Sequence, residues 1–237
     1  MRALGVILAR AGSKGLPGKC VWPLNGRPMI EYTFDHALAS SLLSAIVLTT
    51  DSTAAAALAG ARGVEVIERP AVLATDTARV DRAAAHAAET WESAHREHVD
   101  YVAILYGNIP VRAAGLIDRA LRHLAQCEAS SVRSLAAVTK QHPDWLHSLV
   151  GDRMRPFRPN QIHRRQDLEP LYYHDGAVVA VTRAALLAGA ATDNPHAFLG
   201  DDRRGIVQSP HDAVDVDTLF DVRVAEALLA RPAEASA

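Results

Sequence analysis

The chain predicts an α/β fold: a mostly parallel sheet with helices on both faces. Short, continuous apolar runs alternate with segments of helical periodicity as far as Val138, the rhythm of a parallel sheet covered on both sides. With 237 residues and 49% hydrophobic content, the chain can bury a full core as one domain. The first apolar run also opens directly into a loop rich in glycine and cations, and ligands of open α/β sheets sit at such strand ends.

Ala3–Leu8 reads as the first strand. Pro28–Ser40 reads as a helix, with proline suited to a first turn and Ile30, Phe34, Ala37 and Leu38 at helical spacing. Ala45–Thr49 is a second buried strand ending at Thr50-Asp51, Thr53–Ala61 an alanine-rich helix, and Val64–Ile67 a third strand. Arg79–Ala94 is a long helix, Tyr101–Leu105 a fourth strand, Ala114–Cys127 a helix and Val132–Val138 a fifth strand. The rhythm then breaks from Gln141 to Tyr173 in a stretch rich in Pro, Arg, His and Asp. That length exceeds a simple connection, so it is either a disordered insertion or a functional excursion. Its aromatics Trp145, Phe157, Tyr172 and Tyr173 favour an ordered one. Sheet rhythm returns at Ala177–Thr182 and Gly205–Gln208, a last helix spans Thr218 to Ala230, and Arg231–Ala237 reads as a frayed tail. The expected organisation is one domain over 1–237 with an inserted arm at about 141–176.

A net charge of −2 with mixed signs argues against nucleic acid or an anionic membrane as partner. No apolar run approaches spanning length, and the first strand is too short for a signal peptide. Cys20 and Cys127 form no C-x-x-C, so a reduced, cytoplasmic protein is expected. The histidines show neither H-x-x-x-H nor Cys/His grouping, which leaves zinc unsupported, and Ser13 lacks the G-x-S-x-G setting of a nucleophile.

Chemistry concentrates at three places. The loop after strand one carries Arg10, Gly12, Ser13, Lys14, Gly15, Gly18 and Lys19. Glycines let backbone amides approach an anion while the cations neutralise it, as a triphosphate requires. The pattern is neither G-x-x-x-x-G-K-S/T nor G-x-G-x-x-G. Strand four ends in Tyr106-Gly107-Asn108-Ile109-Pro110-Val111-Arg112. Near the C-terminus, Asp215 and Asp217 share one face of an extended segment, which suits Mg²⁺ completed by substrate phosphates. The alternative for Asp217 is an N-cap of the last helix. In the excursion, Arg164-Arg165-Gln166-Asp167 is either a solvated or interface surface or a substrate contact.

The chain resembles the acylneuraminate (sialic acid) cytidylyltransferase family, which makes CMP-sugars. Its loop follows R-x-G-S-K-G-L/I-P-x-K, Val64 to Thr77 resembles G-V-x-V-x-x-R-P-x-x-L-A-x-D-x, and Asp215 to Glu226 resembles D-I-D-T-x-x-D-x-x-x-A-E. The resemblance implies a Rossmann-like nucleotidyltransferase sheet that activates an acidic sugar, a nonulosonate or 2-keto-3-deoxy sugar acid, with CTP. It implies nucleotide contacts from Leu8, Ala9, Arg10, Gly12, Ser13, Lys14, Lys19 and Arg69, the last over the cytosine. Catalytic roles fall to Arg10, Lys19, Asp215 and Asp217, with Asp215 and Asp217 holding Mg²⁺. The acceptor side would comprise Tyr106, Asn108, Trp145, Arg165, Tyr173 and Asp175. The excursion matches a dimerisation arm that covers the neighbouring site, implying a homodimer in which Arg164 or Arg165 reaches the other subunit's pocket.

The departures are specific. Cys20 stands where the family loop has Asn, and Tyr106 where sialate enzymes have Gln. Gly107-Asn108-Ile109-Pro110 partly resembles the Q-G-D-E-P of 3-deoxy-manno-octulosonate enzymes. Trp145 and Tyr173 occupy positions of a lysine and an arginine aimed at the sugar, and neither forms the charge-assisted bonds that hold a carboxylate. Arg164, Arg165 and Lys140 are candidate replacement cations. The nucleotide half is thus better preserved than the acceptor half. The alternatives are a phosphonate or sugar phosphate acceptor, transfer from GTP or UTP, and a nucleotide-binding relative without turnover.

Overall fold

A computed structural model of the chain describes residues 1–13 and 15–230. Its elements are β1 (Ala3–Leu8), β2 (Pro23–Leu24), β3 (Arg27–Pro28), α1 (Met29–Leu38), β4 (Leu43–Thr50), α2 (Thr53–Ala61), β5 (Glu65–Glu68), α3 (Val80–His95), β6 (Tyr101–Tyr106), α4 (Leu116–Cys127) and β7 (Ser131–Ala137). There follow β8 (His147–Val150), β9 (Arg153–Pro156), β10 (Tyr172–Thr182), α5 (Arg183–Ala190), β11 (Arg203–Gln208) and α6 (Leu219–Leu229). Seven strands form one sheet in the order β11-β7-β10-β6-β1-β4-β5.

Every residue of β1 is buried because parallel neighbours flank it on both edges and helices cover both faces. Alternation along the strand sends Ala3 and Ile7 to one face, with Phe34 of α1, Ala55 of α2 and Leu121 of α4. Leu4, Val6 and Leu8 go to the other, with Ala84 and Trp91 of α3 and Leu186 of α5. Each fully buried side chain of this size contributes about 1.5–3 kcal/mol. A third cluster, Leu16, Leu24, Met29, Val216, Val222 and Ala225, fastens the glycine loop and the segment before α6 to α1.

Besides the short hairpins β2–β3 and β8–β9, which were not expected, β10 and α5 differ from the sequence expectation. β10 runs antiparallel to both β6 and β7, because the chain re-enters the sheet from the arm rather than through a crossover helix. α5 was not expected. Its octet of mostly alanine and leucine shows little contrast between faces, and its start is fixed by the Thr182 hydroxyl accepting the Ala185 amide.

The arm takes the ordered form of a hairpin, β8 with β9, turning at Gly151 with φ 63°. Its strands are exposed throughout, including Leu149, Val150 and Met154. β10 carries a bulge between His174 and Val179, where Gly176 takes φ 76°. No helix among the described residues is long and apolar enough to cross a membrane. The tail Arg231–Ala237 and Lys14 lie outside the described residues.

Candidate active site

From β1 the sheet grows to β4 and β5 on one side, then resumes with β6 on the other. The carboxyl ends of β1 and β6 therefore flank a topological switch point, where such sheets bind ligands. A cleft of about 240 Å³ opens there, lined by Leu8, Ala9, Arg10, Gly12, Ser13, Lys19 and Cys20, by Arg69, Asp76 and Arg79, and by Tyr106 and Asn108. The nucleotide candidates are thus brought together, with Lys14 outside the described residues.

The loop is tied down at both ends of the cleft. The Ala11 amide donates to Asp51 Oδ1 at 2.8 Å, anchoring it beyond β4, and Arg10 pairs with Asp76 at 2.6 Å. Arg69 is buried, donating from Nη2 to the Thr49 carbonyl at 2.7 Å and from Nε to Thr49 Oγ1 at 3.3 Å. Arg69 is therefore an anchored, buried donor and not a solvated surface arginine. Burial pushes the Cys20 thiol pKa up, so it stays protonated at neutral pH.

A second cleft, about 700 Å³, shares Lys19, Tyr106 and Asn108 with the first and adds Tyr173, His174, Asp175, Asp215, Asp217 and Asp221. The two clefts meet at the shared residues. Asp215 is set by an extra pairing beyond β6: Val111 bridges Val214, the Val216 amide donates to the Asn108 carbonyl at 3.0 Å, and the Asn108 side-chain amide donates to Asp215. Asp217 Oδ1 accepts from Lys19 Nζ at 2.5 Å. Thr218, not Asp217, caps α6 in a reciprocal box with Asp221, which leaves the Asp217 carboxylate to face Lys19. A Cβ on Gly15 would lie 2.6 Å from the Asp217 carbonyl oxygen, so the loop reaches this segment only as glycine. Burial, reinforced by Asp217, raises the Asp215 pKa, while Lys19 and Asn108 act in the opposite direction.

Asp175 lines the second cleft but its carboxylate is engaged in the fold, accepting from Ser134, from Gln208 Nε2 at 2.5 Å and from the Ala177 amide at 3.0 Å. Trp145 and Arg165 are not brought to either cleft. The Trp145 indole donates to the Ile162 carbonyl inside the arm at 3.0 Å, and Arg165 is exposed on a short turn.

Sequence reasoning gave no role to Arg112. Its buried guanidinium donates to the carbonyls of Tyr106 at 2.7 Å, Ala177 at 2.8 Å and Ile109, and to Thr33 Oγ1 at 2.9 Å. It thereby fixes the turn that presents Asn108 against the β10 bulge. Burial lowers its pKa to about 9, still a cation at neutral pH. Asp76 and Arg79 were missed as lining residues, although Asp76 stands in the quoted L-A-x-D pattern.

Residues 4–174 match the family model described as Cytidylyltransferase. The chain belongs to the cytidylyltransferase family. It is 30% identical over 234 residues to the CMP-N,N'-diacetyllegionaminic acid synthase of Legionella pneumophila, covering 97% of each chain. It is 32% identical over 182 residues to the N-acylneuraminate cytidylyltransferase of Streptococcus agalactiae serotype V. That match takes 75% of this chain and spans 43% of the longer Streptococcus protein. Among solved structures, a CMP:2-keto-3-deoxy-manno-octonic acid synthetase complexed with CTP superposes with a TM-score of 0.72 at 20% identity, covering 97% of this chain and 99% of the other. The cytidylyltransferase fold thus extends beyond the family-model match, across the Asp215–Asp217 segment.

Proposed function

We propose that this cytidylyltransferase-family chain transfers CMP from CTP to an acidic sugar and releases pyrophosphate, working as one nucleotidyltransferase domain with its arm. The observation that carries the reading is the meeting of the two clefts at Lys19, Tyr106 and Asn108, with loop cations on one side and Asp215 and Asp217 on the other. The relatives' names for CMP-acid synthases and the CTP in the superposed synthetase support the same reading.

In this reading the acceptor hydroxyl attacks the α-phosphorus from the second cleft, in line with departing pyrophosphate. Arg10, Lys19 and the loop amides neutralise the β- and γ-phosphates as negative charge develops there. An incoming triphosphate competes with Asp217 for the Lys19 ammonium, which lies on the boundary of both clefts. Asp215 and Asp217 fit a hard divalent cation such as Mg²⁺: one oxygen of each is engaged, by Asn108 and Lys19, and their repulsion is relieved by a cation. Such an ion, when bound, supplies Lewis-acid stabilisation of the phosphoryl oxygens and a lower pKa for the acceptor hydroxyl. No covalent intermediate is needed, in keeping with the buried, protonated Cys20.

Pyrophosphate release tests this directly. CTP, GTP, UTP and ATP are offered with Mg²⁺ against N-acetylneuraminate, 3-deoxy-D-manno-octulosonate, related nonulosonates, sugar phosphates and phosphonates. Release is expected with CTP and a sugar acid. Release confined to a phosphorylated acceptor would retain the nucleotide half and move the acceptor, and silence throughout would leave a nucleotide-binding protein.

The reading includes a homodimer formed through the arm, in a reducing cytoplasm where Cys20 and Cys127 stay free. Leu149, Val150, Met154 and Phe157 stand exposed on the arm, an apolar surface in want of a partner. Sedimentation at twice the chain mass is expected, with Leu149→Asp and Met154→Asp together giving the single-chain mass. A monomeric wild type with full activity would remove the arm from assembly.

A further inference from the structure

The second cleft is crowded with negative charge. Asp175, Asp215, Asp217 and Asp221 line it, and the one lysine or arginine among its described residues, Lys19, already serves Asp217. An anionic acceptor entering such a cleft needs a further cation within reach.

Arg133 on β7 is placed to supply it. It lies opposite Val179 of β10, which in turn lies opposite Ile104 of β6, so all three project from one face of the sheet. Two residues further along β6, on the same face, stands Tyr106, and two further along β7 stands Leu135, opposite His174. Arg133 is therefore rooted one step below the rim that Tyr106 and His174 form in the second cleft. Its Nε is buried without a hydrogen-bond partner, and its guanidinium pairs with no described acceptor. Buried donors are rarely left so, and this one is completed by an acceptor from water or from a ligand. Among charged groups Arg133 acts most strongly on the Tyr106 phenol, with Asp215 next, which couples that phenol to both sides of the cleft.

We propose that Arg133 holds the carboxylate of the acceptor, with the Tyr106 hydroxyl and the His174 ring completing the seat. The inference rests on the acidic-sugar reading and makes Arg133 a specificity-determining residue. A guanidinium offers a carboxylate two parallel donors, which orients the acid as well as attracting it.

The test compares Arg133→Met with wild type on the best sugar acid of the panel and on the methyl ester of that acid. The acceptor KM should rise about 10- to 100-fold while the CTP KM stays within about twofold. The preference for acid over ester in kcat/KM should collapse towards one, a ratio independent of how much protein is folded. Arg133→Gln, which keeps a polar tip at this partly buried position, gives the same readout where the methionine variant folds poorly. An unchanged acceptor KM and an unchanged acid-over-ester preference would overturn the seat while wild-type turnover keeps the function. Wild-type silence with every sugar acid would instead overturn the acidic-sugar reading, and the seat with it.

Discussion

Replacing Asp215 by Asn, or Asp217 by Asn, should lower kcat by about 10³-fold or more while CTP binding changes only a few-fold. Each change is isosteric, so the Val216 amide bond to Asn108 and the Thr218 cap survive. What is lost is negative charge at the point where the two clefts meet. CTP binding is insulated because the first cleft is lined by the glycine loop, Arg69, Asp76 and Arg79, and by neither aspartate. Pyrophosphate release under saturating substrates gives kcat, and calorimetric titration with CTP gives affinity. On the proposed metal reading the two losses should not multiply in the double variant, since two ligands of one ion would act as a unit. Full turnover in either single variant would remove that carboxylate from the mechanism.

The parts of this site legible in the sequence are those whose chemistry is local. The glycine loop declares itself through strand context, glycines and cations within a few residues. Asp215 and Asp217 declare themselves through spacing of two in an extended segment. The fold was legible for the same reason, since continuous apolar strands and amphipathic helices carry their own periods. The direction of β10 was not, because it depends on the path through the arm and not on the strand's residues. Arg112 and Arg133 were not legible either. Arg112 looks like any arginine after Pro110, yet its acceptors come from α1, the end of β6 and the β10 bulge. Arg133 is the one charged residue in β7, and a long cation within a sheet needs an acceptor from somewhere. Trp145 aligns with an acceptor position by sequence and Arg165 is a candidate replacement cation, but the arm carries both away from the two clefts.

Arg183→Met should destabilise the fold by about 3–5 kcal/mol and leave the chemistry intact. Glu92 on α3 has a side chain only 5% exposed and receives Arg183 through both carboxylate oxygens, at 2.7 and 2.8 Å, with the Val99 amide as a third donor at 3.0 Å. An exposed ion pair would be worth under about 1 kcal/mol, but here the deletion strands a buried carboxylate beside the second core face. For a chain of this length, about 2–4 °C per kcal/mol puts the expected fall in Tm at about 6–20 °C. The pH dependence fixes the cause. Burial raises the Glu92 pKa, but Arg183 and the Val99 amide overcome it and hold the carboxyl below its usual range. A depressed folded-state pKa gives stability that is fully present above the unfolded value and lost as pH falls through the folded one. The Tm gap between wild type and Arg183→Met should therefore be widest at neutral pH and close progressively below about pH 4. Turnover at 25 °C per folded molecule should not change, because the cleft takes only the opening turn of α3, around Arg79, Val80 and Ala83, and Glu92 lies three turns away. A gap below about 2 °C at pH 7 would mean that water reaches Glu92 once Arg183 is gone. The α3–α5 contact would then rest on its apolar residues alone.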